Sequence, residues 1–257
     1  LQENYMPSIH EINRFLKETL DPSGMNDSAM NGIQVETEAD ISRAAFAVDA
    51  SLAAIEAAVH EKCGLIVAHH GFFWGSPLPV AGNHRKRLSL MLEKRVGLIA
   101  YHLPLDAHSE YGNNSGILRA LGLKNPEPFG RYKGNTIGFV ARSPEPLKIK
   151  TVMERLGMPR NESAPALLEF GPEKIYTVAA VSGGGAMSLD EAVERGADLF
   201  ITGDASHQMY HAAKEAGITV LSAGHYFTET FGVRALMDPL EEKFGIETFF
   251  LDIPTGL

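Results

Sequence analysis

Apolar positions along the first hundred residues follow two rhythms. Ile9, Ile12, Phe15 and Leu16 recur at helical spacing behind Ser8, which predicts a helix over about 8–20 with Ser8 as its N-cap. Short continuous apolar runs predict strands at 44–48, 65–68 and 97–101, and amphipathic stretches near 52–62 and 85–95 predict the helices between them. The same order returns later, with strands at 176–181, 198–202 and 219–223 and helices at 189–195 and 210–216. Between the two series, 124–142 is rich in proline and glycine and reads as a linker or irregular hairpin. A helix over 147–156 and a second proline-rich loop follow, and the tail 249–254 reads as a last strand cut off by Pro254.

Strand and helix in strict alternation are the grammar of a largely parallel sheet covered by helices. Its recurrence favours a pseudo-duplicated pair of α/β lobes. The expected division is a first lobe over 1–125, completed by 226–257, and a second over 126–225. Local wording supports duplication. Ala47 to Ser51 resembles Ala180 to Gly184, and Gly64 to His69 aligns with Ala197 to Thr202. After the third strand of each series comes a histidine with a carboxylate four residues on: His102 and Asp106, then His225 and Glu229.

Composition narrows the class. With 257 residues and 44% hydrophobic content the chain can bury the core of one large α/β domain or two smaller ones. No run approaches the roughly 20 apolar residues of a membrane helix, and the first 25 residues lack the order of a signal peptide, so the expected location is cytoplasmic, away from membranes. Cys63 is the only cysteine, which excludes an internal disulfide and a thiolate metal cage. A net charge of −9 argues against nucleic acid as a partner.

The chemistry gathers where strands end. His69 and His70 close the apolar run Leu65 to Ala68, with Gly71 supplying a turn. Side chains alternate faces along a strand, so both rings can aim at one point only if the strand ends there. Taken alone, the pair is read equally well as one core and one surface histidine. Ligands of open α/β sheets, however, bind outside the carboxyl ends of the strands, and His69, His70, His102, Asp106, His225 and Glu229 all fall at such ends. Mixed imidazole and carboxylate ligands suit Zn, Mn, Fe, Co or Ni, and their number suits two divalent transition-metal ions about 3.5–4 Å apart.

Other stretches carry weaker signals. Ser182 to Gly185 lies between strand and helix and reads either as a cradle for a phosphate or as a tight turn that keeps the backbone clear of the metal crevice. It has neither P-loop nor dinucleotide spacing. His84 to Arg87 reads as a solvated helix face, with phosphate contact as the alternative. His10, His60 and His108 are assigned to packing or surface, and His207 and His211 to a solvated or capping face.

Seven motifs in order resemble one family. They are Asn31 to Val35, Val67 to Trp74, Tyr101 to His108, Asn113 with Asn114, Ser182 to Gly185, Thr202 to Asp204, and Gly224 to Glu229. Together they are similar to the GTP cyclohydrolase 1 type 2 homologs, a family of dinuclear metal-binding proteins, over essentially the whole chain. The resemblance implies two similar α/β lobes with mixed, largely parallel sheets and a metal site in the cleft between them. It also implies a ring-shaped homo-oligomer, often a hexamer. Carried over by position, it implies His69, His70, Asp106, His225 and Glu229 as metal ligands, with Glu229 touching both ions. His102 then becomes a neighbour that orients a ligand or assists proton transfer, whereas internal symmetry makes it the equal of His225.

The expected function is that of a metal-dependent hydrolase acting on a small nucleotide or heterocycle, with Glu229 and His102 as catalytic residues. The alternative is a non-catalytic metal-binding regulatory, chaperone or metal-handling ring protein, which the absence of a dedicated nucleophile keeps open.

Overall fold

The computed structural model describes residues 6–158 and 166–257; the second proline-rich loop, expected within 143–172, falls partly outside the described residues. Two compact units emerge: Leu1–Leu105 with Val233–Ile253, and Asp106–Gly232 with Pro254–Leu257.

The first unit is built on a five-stranded sheet ordered β1 (Gly32–Val35), β4 (Gly97–Ala100), β3 (Leu65–His70), β2 (Arg43–Asp49) and β11 (Glu247–Phe250). β2, β3, β4 and β11 run parallel, and β1 closes the other edge antiparallel to β4. The central strands are buried along almost their whole length, as a sheet covered on both faces requires. Their apolar side chains join Ala54, Ile55 and Ala58 of the helix Leu52–His60 and Met91 of the helix Gly82–Lys94 in one core. The first helix, Ile9–Leu20, is fixed by a capping box: Ser8 Oγ accepts from the Glu11 amide, and the Glu11 carboxylate accepts from the Ser8 amide. Such caps contribute about 1 kcal/mol.

The second unit holds a six-stranded sheet ordered β5 (Glu127–Tyr132), β6 (Asn135–Leu147), β8 (Ile175–Val181), β9 (Leu199–Thr202), β10 (Thr219–Ser222) and β7 (Ala166–Glu169). β8, β9 and β10 are parallel, β7 pairs antiparallel with β10, and the β5–β6 hairpin continues the sheet antiparallel to β8. The shared plan of the units is therefore wider than the sequence suggests. Each places three parallel strands beside an antiparallel edge strand that precedes them in the chain, β1 in one and β7 in the other.

The proline- and glycine-rich stretch 124–142, read as a linker or irregular hairpin, is a regular hairpin within the sheet. Gly138 allows it, because a Cβ there would stand 2.6 Å from Val181 Cγ2 and 2.8 Å from the Ala180 carbonyl oxygen. The boundary also falls earlier than the expected 125, at Leu105/Asp106. The cause is the helix Asn113–Ala120, whose Ile117 and Leu118 belong to the core of β6 and β8. No described helix is long and apolar enough to cross a membrane.

Candidate metal centre

In the first unit, β3 delivers His69 and His70 at its last two positions, with ring centroids 4.6 Å apart. His102 follows β4, and its ring lies 5.1 Å from that of His69 and 5.6 Å from that of His70. One ring nitrogen of each of the three lies within 4.8 Å of the others. His69 is wholly buried, and the other two are partly so.

Gly71 serves this cluster by a different route from the expected turn. A Cβ at that position would collide with the side-chain amide of Gln34, whose Oε1 accepts from the amides of Phe72 and Phe73. The glycine is needed for close approach, and that approach fixes the loop after the histidines.

In the second unit, Asp106 ends the short helix Leu103–Asp106, and His225 opens the helix His225–Thr228 with Glu229 as its C-cap. His225 Nε2 lies 3.1 Å from Glu229 Oε1, and ligand oxygens of Asp106 and Glu229 lie within 4.8 Å of one another. Asp106 and Glu229 are both buried. Asp106 Oδ1 accepts from Asn113 Nδ2 at 2.9 Å and Ser182 Oγ at 3.0 Å. Asn114 secures the same corner: its Oδ1 accepts from the Ser182 amide, and its Nδ2 donates to the carbonyls of Ile137 and Asp106.

Every histidine of the two clusters is gripped at Nδ1. His69 Nδ1 lies 3.1 Å from the Tyr101 carbonyl oxygen, His70 Nδ1 2.9 Å from Asp49 Oδ1, and His102 Nδ1 3.0 Å from Asp27 Oδ1. In the second unit His225 Nδ1 lies 2.9 Å from Asp204 Oδ2. Carbonyl and carboxylate oxygens only accept, so each Nδ1 carries the proton and a neutral ring has its lone pair on Nε2. This is how proteins prepare imidazoles to ligate a metal. Imidazole nitrogens in the first unit, and an imidazole nitrogen with carboxylate oxygens in the second, are donors that suit a borderline transition-metal ion.

Charge is tuned to match. The Glu229 carboxylate hydrogen-bonded to Nε2 pushes the His225 pKa up to about 10 against the opposing effect of burial, with further help from the Glu229 charge and Asp204. Without metal, His225 is thus an imidazolium whose Nε2 proton a cation would have to displace. Burial opposes ionisation of Asp27, yet the hydrogen bonds from His102, Ala29 and Asn31 and the charge of His102 hold its carboxyl well below the usual range.

Comparison with known proteins identifies the fold and the family. The family model of Duf34/NIF3 (NGG1p interacting factor 3) matches residues 7–256. The chain belongs to the Duf34/NIF3 family. It is 44% identical over 251 residues to the Archaeoglobus fulgidus protein named GTP cyclohydrolase 1 type 2 homolog, covering 97% of this chain and 100% of the relative. A Pyrococcus horikoshii protein of the same name is 43% identical, with coverage of 96% and 98%. Among solved structures it resembles TTHA1606 from Thermus thermophilus, at TM-score 0.85 and 39% identity, covering 98% of this chain and 100% of that one. Protein ybgI, described as of unknown function, superposes at TM-score 0.88 with 33% identity and the same coverage.

In this Duf34/NIF3 chain the Ser182–Gly185 stretch serves the carboxylate. Gly183 has φ +55°, and a Cβ there would collide with Glu229 Oε1 and stand 3.0 Å from His225 Nε2. The Ser182 and Gly183 amides donate to Asn114 Oδ1 and Thr228 Oγ1, so the turn packs against the ligand pair and those two amides are committed within the fold. In the basic cluster, His84 is buried edge-on between Phe72 and Phe73, and Arg87 lies over the Phe72 ring, leaving Arg85 and Lys86 exposed.

The remaining histidines stay outside both clusters. His10 pairs with Glu36, His108 Nδ1 caps the amides of Glu110 and Tyr111, and His60, His207 and His211 are exposed. Sequence reasoning missed Asp27, Asp49 and Asp204 as orienting groups. Asp49 and Asp204 each stand at or just after a strand end, the same signal that pointed to the histidines.

Proposed function

We propose that this chain is a dinuclear metal-binding protein that acts as a metal-dependent hydrolase on a nucleotide or heterocyclic small molecule. In this reading His69, His70, Asp106, His225 and Glu229 hold two divalent transition-metal ions. The observation that carries it is the Nδ1 grip on every histidine, because it dedicates each Nε2 to one task. Bound ions would supply Lewis acidity, lowering the pKa of a water and polarising the atom it attacks.

The chain's own residues do the rest. Glu229, buried under Gly183, holds an oxygen against His225 and is fixed to within the tolerance of the turn above it. His102 is the proton carrier: Asp27 locks its Nδ1 proton, so Nε2 accepts and returns a proton while the imidazolium formed is stabilised by a neighbouring carboxylate. Asn31 keeps that histidine in place by accepting from the His102 amide and donating to Asp27 Oδ2. The relatives' shared name points to GTP as a first substrate to try. The reading also includes self-association into a ring-shaped homo-oligomer, a hexamer, checked by light scattering.

The test is to purify the protein with its metal, count the metal, and assay a panel of nucleotides and phosphoesters with Glu229→Gln as control. Two equivalents of metal per chain and turnover lost in Glu229→Gln are expected. Turnover that persists in metal-free or Glu229→Gln protein contradicts the hydrolase reading, and two equivalents of metal without turnover favours the non-catalytic alternative.

A further inference from the structure

The loop leaving the histidine strand carries the only tryptophan of the chain, Trp74. Its ring centroid lies 4.9 Å from that of His102 and 5.7 Å from that of His70. The side chain is nevertheless 41% exposed. Its polar group is satisfied within the loop, because Nε1 donates to the Gly71 carbonyl at 3.1 Å. The indole thus stands beside the imidazoles with its nitrogen already partnered by its own loop.

The loop is held ready. Gln34 Oε1 accepts from the amides of Phe72 and Phe73, Gln34 Nε2 donates to the Met30 carbonyl at 2.7 Å, and the Met30 amide donates to the Phe73 carbonyl. Met30, whose amide is bonded to this loop at Phe73, is itself an exposed apolar side chain, at 55%. A partly exposed indole with a satisfied nitrogen on a loop held by hydrogen bonds accepts a flat ring at little ordering cost.

We propose that Trp74 is a stacking platform for the substrate. It receives a planar heteroaromatic ring of nucleobase size and holds it beside His70 and His102. This rests on the metal-centre reading for its catalytic meaning and sharpens it by naming the side chain that would hold the substrate's ring. The proximity of the ring to the imidazoles favours a small molecule over a protein partner, since whatever stacks there lies within reach of the cluster.

Because Trp74 is the only tryptophan, fluorescence excited at wavelengths that tyrosine does not absorb reports it alone. Metal-loaded protein is titrated with guanosine, adenosine and uridine, with ribose as a non-planar control, and affinities are checked by equilibrium dialysis on Trp74→Ala and Trp74→Phe. At least one nucleoside quenches the fluorescence saturably, and ribose does not. Trp74→Ala weakens its binding about tenfold and Trp74→Phe less than about threefold, while metal content stays at the wild-type level in both. If no nucleoside quenches, or if Trp74→Ala binds as well as wild type, the platform is overturned and the metal reading stands. If the protein takes up no metal and the quenching persists, the metal reading fails and the platform stands.

Discussion

The two clusters differ in what they are made of and in how the fold holds them. In the first unit three imidazoles gather at the ends of adjacent parallel strands, gripped at Nδ1 by Tyr101, Asp49 and Asp27. In the second, two buried carboxylates and one histidine sit on short helices, and a glycine turn is pressed onto them. The first is a nitrogen site set by a sheet; the second is an oxygen site set by close packing. The apparent repeat of histidine and carboxylate four residues apart is broken by this contrast. His225 and Glu229 stay together at 3.1 Å, whereas His102 joins the first unit's imidazoles and Asp106 belongs to the second unit. Equal spacing in sequence thus produced unequal placement.

That contrast can be broken from either side. Glu229→Gln should have the largest effect, lowering metal affinity by more than about a hundredfold by dialysis and mass spectrometry, since it removes an anionic ligand itself. Gly183→Ala should destabilise by roughly 2–3 kcal/mol, a drop of about 5 °C in calorimetry. Its cause is the collision with Glu229 together with the positive φ. The same change at Gly184, where a Cβ meets nothing closer than 3.7 Å, should cost far less.

Substitution of the orienting carboxylates probes the imidazoles. Asp49→Asn and Asp204→Asn should each weaken metal binding about 10–100-fold. Asp27→Asn separates the two roles of His102: unchanged metal content with slowed turnover marks a proton carrier, and lost metal marks a ligand.

A further effect is a pH dependence confined to metal-free protein. The folded pKa of His225 is raised from 6.5 to about 10 by Glu229. The stabilisation is therefore complete below pH 6.5 and is lost as pH rises through 10. Melting temperature should fall over that window, and Glu229→Gln should flatten the slope.

Much of this was legible in the sequence because it follows from period and position. The parallel strands and their helices were marked by continuous apolar runs, and the start of the first helix by Ser8, while the capping partner Glu11 was not read. The four-residue strands β1 and β7 were not, because short edge strands only partly buried leave no apolar period. The hairpin β5–β6 was obscured by prolines and glycines that the structure uses for close packing at Gly138. Site residues at strand ends could be found from topology, but Asp27 lies 75 residues before its partner His102, and no local pattern announces it.

The central claim is that His69, His70 and His225 are each held at Nδ1 so as to present Nε2 to a metal. Anomalous diffraction from crystals grown with manganese or zinc tests it directly. The account predicts two peaks per chain about 3.5–4 Å apart, bonded to Nε2 of His69, His70 and His225 and to oxygens of Asp106 and Glu229, with the Nδ1 contacts retained. Peaks elsewhere, or coordination through Nδ1 with the carboxylate and carbonyl partners displaced, would contradict it.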